Sequence, residues 1–263
     1  LQDAARVICL RGRLLSQVGR GGMLLAELSE EQALSAIEGR EARVSIGASN
    51  GPRATVLSGD VAALSEIKAR LDGTGVFNRW VKVDFAAHSP MVEGAAAELR
   101  RALSGLRPLR QRAALYSTVL GRRCEGVELC AGYWARNLRE PVRLWHTMQQ
   151  LEEERPLFVE ISPHPVLAPS LEAGLRALGR EATVLPALRR GEDPEQVLAA
   201  FLPEAPQAGE RDELCYELRW ESSGEPRRTA APIGRWLIIP DRTERGGGER
   251  GRLAEAVARG MAR

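Results

Sequence analysis

Three residues carry most of the chemistry open to this sequence: Arg11, His88 and Asn137. His88 follows the run WVKVDFAA at 80–87, in which Val81, Val83 and Phe85 alternate with Lys82 and Asp84. That period of two predicts a half-buried strand running straight into two alanines and the imidazole. Ser89 then offers a helix N-cap and Pro90 a first-turn proline, so His88 is expected in a tight strand-to-helix junction whose small neighbours leave the ring accessible. An imidazole placed there can take a proton from a nucleophile, or it can be satisfied by local backbone groups. Arg11 falls within a helical stripe of Ala4, Val7, Ile8, Leu14, Leu15 and Val18. A guanidinium on an inward face is costly unless it meets an internal or bound carboxylate or snorkels to water. Asn137 lies just ahead of Pro141, near the start of a helix predicted over 133–154.

Other candidates carry less. Cys9, Cys124, Cys130 and Cys215 form no Cys-x-x-Cys pair and no histidine-flanked spacing, which argues against a metal site or a disulfide framework and for reduced, cytoplasmic thiols. His146 on its helix and His164 in the turn Ser162-Pro163-His164-Pro165 read as structural. Gly246-Gly247-Gly248 departs from Gly-x-Gly-x-x-Gly and does not follow its strand directly, so a loop is the simpler reading than a phosphate cradle. The cluster Arg100, Arg101, Arg107, Arg110 and Arg112 reads as solvated, and the net charge of +2 is too small to indicate nucleic acid or an anionic membrane as a partner. Only two of the 37 basic residues are lysines, a bias of codon usage more than of binding. No apolar run approaches the roughly 18 residues that a membrane helix requires, and no signal peptide is evident.

The elements that must position these groups form an α/β pattern. After the Arg11 helix and the break at residues 19–22, strands are predicted at 23–28, 42–48, 53–58 and 80–85, with helices at 30–38 and 60–71. That β-α-β-β-α-β order is the split sandwich of ferredoxin-like folds. A helix over 91–106, a strand at 115–120, the 133–154 helix, a strand at 157–161, a helix over 166–178, a strand at 182–185 and a helix ending near Phe201 complete the first part. Residues 202–213 read as a linker, beyond which strands at 215–220 and 235–239 and a helix over 252–261 begin a different unit.

Taken together, the strings ICLRGRLL, ASNGPRATVLSGD, VDFAAHSP, YSTVLGRRCEG, YWARNLREPVR and VEISPHPVL closely resemble the acyltransferase domains of modular polyketide synthases and, more distantly, bacterial malonyl-CoA:acyl-carrier-protein transacylases. The resemblance runs from about residue 1 to 201. It implies a partial α/β-hydrolase-like large subdomain (1–20 and 84–201) with an inserted ferredoxin-like small subdomain (21–83). Residues 214–263, with YELRW and GRWLIIPD, resemble the opening of the structural half of a polyketide ketoreductase, a truncated Rossmann-like piece without an NADPH site.

By resemblance, a serine in a Gly-x-Ser-x-Gly elbow attacks an acyl-CoA thioester, His88 is the base, Arg11 grips the free carboxylate of the extender unit, and the main-chain carbonyl of Asn137 orients the imidazole. The expectation is that no Gly-x-Ser-x-Gly run occurs in this sequence and that no serine substitutes for it: Ser49 and Ser89 read as a loop residue and a helix cap, and the chain by itself is expected to form no acyl-enzyme. Phe85 and Ala87 match positions that select the extender unit; Ala87 leaves room for an α-methyl, which points to methylmalonyl-CoA ahead of malonyl-CoA. The resemblance implies no cofactor in this chain. The expected partners are the phosphopantetheine arm of an acyl carrier protein and the neighbouring ketosynthase and ketoreductase domains. Two other classes stay open on the residues alone: a hydrolase or thioesterase, which would not need Arg11, and a non-catalytic carrier-docking fragment.

Overall fold

The computed structural model describes residues 2–151, 157–181 and 183–192. The chain divides into a unit of residues 1–205 and a unit of residues 206–263. The second unit, the linker and the helix expected near Phe201 lie outside the described residues, and with them the strands at 215–220 and 235–239.

The first unit opens with α1 (Gln2–Leu15) and continues β1 (Gly22–Ala26), α2 (Glu30–Ile37), β2 (Val44–Gly51), β3 (Ala54–Gly59), α3 (Val61–Gly73) and β4 (Asn78–Trp80), the expected order of strands and helices. Ser29 starts α2 through a capping box: its hydroxyl accepts from the Gln32 amide at 3.2 Å, and its own amide donates to the Gln32 side chain at 3.0 Å. Asp60 caps α3 by accepting from the Ala63 amide at 2.9 Å. The strands pair in the order β4-β1-β3-β2, all antiparallel. Leu24, Ala26, Val44, Ile46 and Leu57 turn one face toward Ala33, Ile37, Ala63, Leu64, Ile67 and Leu71 of the two helices, and all are buried.

Beyond β4 come α4 (Glu93–Ala102), the hairpin β5 (Leu115–Ser117) and β6 (Arg122–Cys124), α5 (Ala131–Arg139), the two-residue β7 (Val142–Arg143), α6 (Leu144–Gln149), β8 (Leu157–Glu160), α7 (Ala168–Ala177) and β9 (Thr183–Pro186). Residues Val142 and Arg143 add a parallel fifth strand to the edge of β2. A second core gathers Val7 and Leu14 of α1, Val92, Leu99 and Leu103 around α4, and Leu138 of α5. β8 and β9 pair in parallel around α7, the strand-turn-helix unit expected from the sequence.

Four expectations are corrected. Residues 81–85 are not strand: ladder pairing with β1 ends at Leu24–Trp80, and one last bond follows, from Val81 N–H to the Met23 carbonyl at 2.9 Å. Val83 N–H instead donates to the Val81 carbonyl at 2.8 Å, a three-residue turn that lifts the chain off the sheet. The single helix expected over 133–154 is two, α5 and α6, since Pro141 supplies no amide and forces Glu140 into extended backbone (φ −84°, ψ 158°). The predicted strand at 115–120 is shorter and pairs with β6, a hairpin partner that the sequence pattern does not announce. On α1, Ala4 and Ile8 of the expected inward stripe are exposed, Ile8 by 60%.

Glu160, at the end of β8, is the buried anchor of the β8–α7 connection. Its carboxylate accepts from the amides of Val166, Leu167 and Ala168 at 2.8 to 3.1 Å and from the Ser162 hydroxyl at 3.1 Å. Burial alone raises its pKa; those hydrogen bonds outweigh it and hold the group below the ordinary value. Glu160→Ala leaves three amides without their acceptor, and chemical denaturation of the variant is expected to find a loss of at least about 2 kcal/mol.

Candidate active site

His88 sits where the two cores meet. Residues 86–88 return across the start of β1 at a point where only glycine fits: a Cβ on Gly21 would lie 2.5 Å from the Ala86 Cβ and 2.9 Å from its amide nitrogen. Gly21 N–H also donates to the Asp84 carbonyl at 3.1 Å. Ser89 caps the turn that follows, accepting from the Met91 amide at 3.2 Å and donating to the Ala86 carbonyl at 2.7 Å. Pro90 opens a single 3-10 turn that leads into α4. The strand is lost, but the tight junction with its serine cap and first-turn proline stands as the sequence predicts.

His88 adopts a left-handed backbone, φ 62°, the one non-glycine residue with positive φ among the described residues. That conformation costs a residue bearing a Cβ roughly 1–2 kcal/mol and persists only where the surroundings impose it. They do so from both sides. His88 N–H donates to the Leu138 carbonyl at 3.0 Å. The Ser45 hydroxyl of β2 donates to the His88 carbonyl at 2.7 Å, and the Ser58 hydroxyl of β3 donates to the Ala87 carbonyl.

The imidazole is fixed by one further bond: Nδ1 lies 2.7 Å from the main-chain carbonyl of Glu140. A carbonyl only accepts, so Nδ1 carries the hydrogen and the neutral ring keeps an unprotonated Nε2, which has no hydrogen-bond partner among the described residues. The expectation that Asn137 supplies this carbonyl is corrected to Glu140. The reason is local. α5 stops at Arg139, and the residue before Pro141 must leave the helical region, which swings the Glu140 carbonyl off the helix axis toward His88. The Glu140 carboxylate is in turn held by Arg136 at 2.6 and 3.1 Å and by Arg143 at 3.3 Å. Hydrogen bonding to Arg136 above all keeps its pKa low against the opposing effect of burial.

Arg11 is brought to the same place. It lies on α1 between Leu10 and Leu14, against the core that contains Val92 and Leu138. Burial lowers its pKa, and its Nε is buried without a hydrogen-bond partner among the described residues. Its charge acts on His88: burial first, and then Arg11, push the imidazole below its ordinary value of 6.5, while the bond to Glu140 works the other way. Phe85 is half-buried on the loop and Ala87 is only 3% exposed. His146 instead faces Glu30 at 3.5 Å, and His164 is exposed, with Nδ1 accepting from the Arg190 amide at 3.4 Å. Among the described residues no cluster of three or more His, Cys, Asp or Glu side chains is arranged to hold a metal ion, and no helix is long and apolar enough to cross a membrane.

Comparison with known proteins decides the family. The profile described as "Acyl transferase domain" matches residues 1–209. The chain belongs to the acyl transferase domain family. It is 41% identical over 205 residues to the spectinabilin polyketide synthase system protein NorA' of Streptomyces orinoci, covering 76% of this chain and 6% of that protein. Polyketide synthase GfsB of Streptomyces halstedii is 44% identical over 195 residues, 73% of this chain and 4% of that one. Among solved structures, the acyltransferase domain from module 8 of the salinomycin polyketide synthase superposes with a TM-score of 0.70 at 35% identity, over 76% of this chain and 48% of the other. The chain therefore spans about half of the solved acyltransferase chain and a small fraction of the synthases it matches.

Within that family a nucleophilic serine stands at a sharp strand-to-helix turn. One run here does spell the motif, Gly47-Ala48-Ser49-Asn50-Gly51, which corrects the expectation that no such run occurs. The letters are there without the geometry. Ser49 lies inside β2, which leads through a turn into β3 and not into a helix, and the residue is only 2% exposed. Counted along the strand, it is roughly 13 Å from Ser45, the β2 residue that touches the His88 backbone. The residues that spacing did not reveal are Glu140, Leu138, Ser45 and Ser58; only Glu140 had a readable signal, as the residue before a proline.

The lowered pKa sets a pH signature with a definite sign. Unfolded chain binds a proton at His88 near 6.5 and folded chain only lower, so stability falls as pH drops below about 6.5. An NMR titration of the imidazoles is expected to find His88 protonating below 6.5, and His88→Gln is expected to flatten that part of the stability curve.

Proposed function

We propose that this chain is the histidine-bearing part of an extender-unit acyltransferase of a modular polyketide synthase. The observation that carries the reading is the pairing of a half-buried imidazole, its Nε2 unprotonated, with a half-buried guanidinium whose Nε is buried, neither nitrogen having a hydrogen-bond partner among the described residues. An arginine placed beside a base, with no carboxylate of its own among the described residues, suits a substrate that brings one.

In this reading Nε2 takes the proton of a serine hydroxyl as its oxygen attacks the thioester carbon of an acyl-CoA. The tetrahedral intermediate collapses, the carbon–sulfur bond breaks, and the imidazolium returns its proton to the departing thiolate. The second half runs the same steps in reverse: the thiol of phosphopantetheine on an acyl carrier protein gives its proton to Nε2 and attacks the serine ester. The Glu140 carbonyl holds the tautomer that both halves require. Arg11 holds the free carboxylate of a malonyl-type unit. Binding that carboxylate offsets the Arg11 charge that depresses the His88 pKa, so the base strengthens when substrate arrives.

We assign the nucleophile to a serine outside this sequence, since Ser49 is buried within a strand. The antiparallel order β4-β1-β3-β2 under α2 and α3 supports a ferredoxin-like small subdomain, and the parallel β8–β9 pair, with Leu157, Val159 and Ile161 exposed, supports part of a hydrolase-like sheet. The neighbouring ketosynthase and ketoreductase domains belong to the same proposal. Ala87 keeps the position before His88 small, which favours methylmalonyl over malonyl.

Two substitutions, made in the acyltransferase that contains this chain, test the reading. Arg11→Ala is expected to lower kcat/KM for methylmalonyl-CoA tenfold to a hundredfold, roughly the worth of one charge-assisted hydrogen bond, and to spare acetyl-CoA. Equal loss on both substrates would defeat the carboxylate assignment, and retained simple ester cleavage would point to a hydrolase. Ala87→Phe is expected to shift the methylmalonyl to malonyl ratio toward malonyl by roughly tenfold or more. An unmoved ratio removes Ala87 from the selection of substrate.

A further inference from the structure

We infer that Ser45 and Ser58 are positioning residues for His88, a cross-strand pair that holds the base in its left-handed backbone; the inference rests on His88 being the base. Three observations carry it. The two serines are register partners on β2 and β3, so their side chains leave the same face of the sheet side by side. They donate to two successive carbonyls, Ser58 to that of Ala87 and Ser45 to that of His88. Those carbonyls belong to the peptide groups on either side of the His88 Cα, the residue with φ 62°.

With His88 N–H bound to the Leu138 carbonyl, both peptide planes flanking His88 are pinned, and with them the direction in which the imidazole leaves the backbone. The Glu140 carbonyl then selects the ring rotamer and tautomer. The surroundings of the pair leave room for this approach and for little else. Gly47 is also on this part of the sheet, where an added Cβ would come within 2.9 Å of the Ser58 Cβ, and Ser58 is fully buried. A polar residue buried under a catalytic loop, bonded to the backbone of the base, acts on the base through geometry.

The experiment uses the acyltransferase that contains this chain, with Ser45→Ala, Ser58→Ala, the double variant and Ser45→Thr, and methylmalonyl-CoA as substrate. The alanine variants are expected to lower kcat by roughly tenfold to a hundredfold, the scale for misplacing a reacting group by about an ångström. KM for the CoA thioester is expected to stay within about twofold. The His88 imidazole, distinguished by NMR from His146 and His164, is expected to titrate closer to 6.5 as the loop loosens and the ring gains solvent. Ser45→Thr keeps the hydroxyl and is expected to keep both kcat and titration. Should Ser58→Ala not fold, Ser45→Ala at the half-buried position carries the same test. A lower melting temperature with kcat and the His88 titration unchanged overturns the inference and leaves the serines merely structural. A shifted titration with kcat unchanged supports the clamp and removes His88 as the base.

Discussion

Everything at the candidate site depends on a short stretch of backbone being held where it would not stay by itself. His88 has a side chain and a positive φ, a combination that the local sequence does not favour and that the surrounding elements impose. The imposition comes from two cores at once. β2 and β3 hold the carbonyls of Ala87 and His88 from the side of the sheet, and the last turn of α5 holds the amide and the ring from the other. Each bond contributes about 1 kcal/mol by itself, so several are needed to outweigh the strain and leave the ring in one orientation. The glycine at 21 belongs to the same constraint, because the loop can reach the serines only by passing where a Cβ would stand.

Charge at the site follows from that packing. Partial burial of both His88 and Arg11 disfavours the charged form of each. The arginine keeps its charge regardless, and that charge lowers the imidazole further. What results is a neutral base beside a desolvated cation, an arrangement that is expensive when empty of an anion and becomes favourable when a carboxylate enters. The arginines on the outer side of Glu140 act differently. Arg136 and Arg143 hold its carboxylate, and so keep its carbonyl turned toward His88.

Much of this is legible along the chain. The capping residues Ser29, Asp60 and Ser89 act where their types and spacing predict, the order β-α-β-β-α-β is as read, and Arg11 does face inward. These are local properties, set by side chains that satisfy the first amides of a helix or by apolar residues recurring at a fixed period. Pattern and structure part where a local signal meets a distant limit. Val81, Val83 and Phe85 alternate as a strand does, yet after one bond from Val81 to Met23 the turn closed by Val83 N–H on the Val81 carbonyl carries the chain off the sheet. Residues 133–154 have helical spacing, yet Pro141 divides them, and the same proline moves the carbonyl that orients His88 from Asn137 to Glu140. Gly47 to Gly51 carry the letters of a serine elbow and lie within the irregular second half of strand β2.

The sequence by itself determined the inventory: a histidine among small residues ahead of a helix cap, an arginine on an apolar face, and a run of motifs shared with acyl transferase domains. Only the tertiary structure decided which partners those residues have. Ser45 and Ser58 lie on neighbouring strands and Glu140 lies 52 residues beyond His88, and no periodicity connects them. Hydrogen bonds to a backbone carbonyl place no demand on the type of residue that supplies it, so they leave no mark in the sequence. They form because sheet register and a proline-broken helix bring those groups within 3 Å of the ring and its peptide groups, and geometry of that kind exists only once the cores have packed.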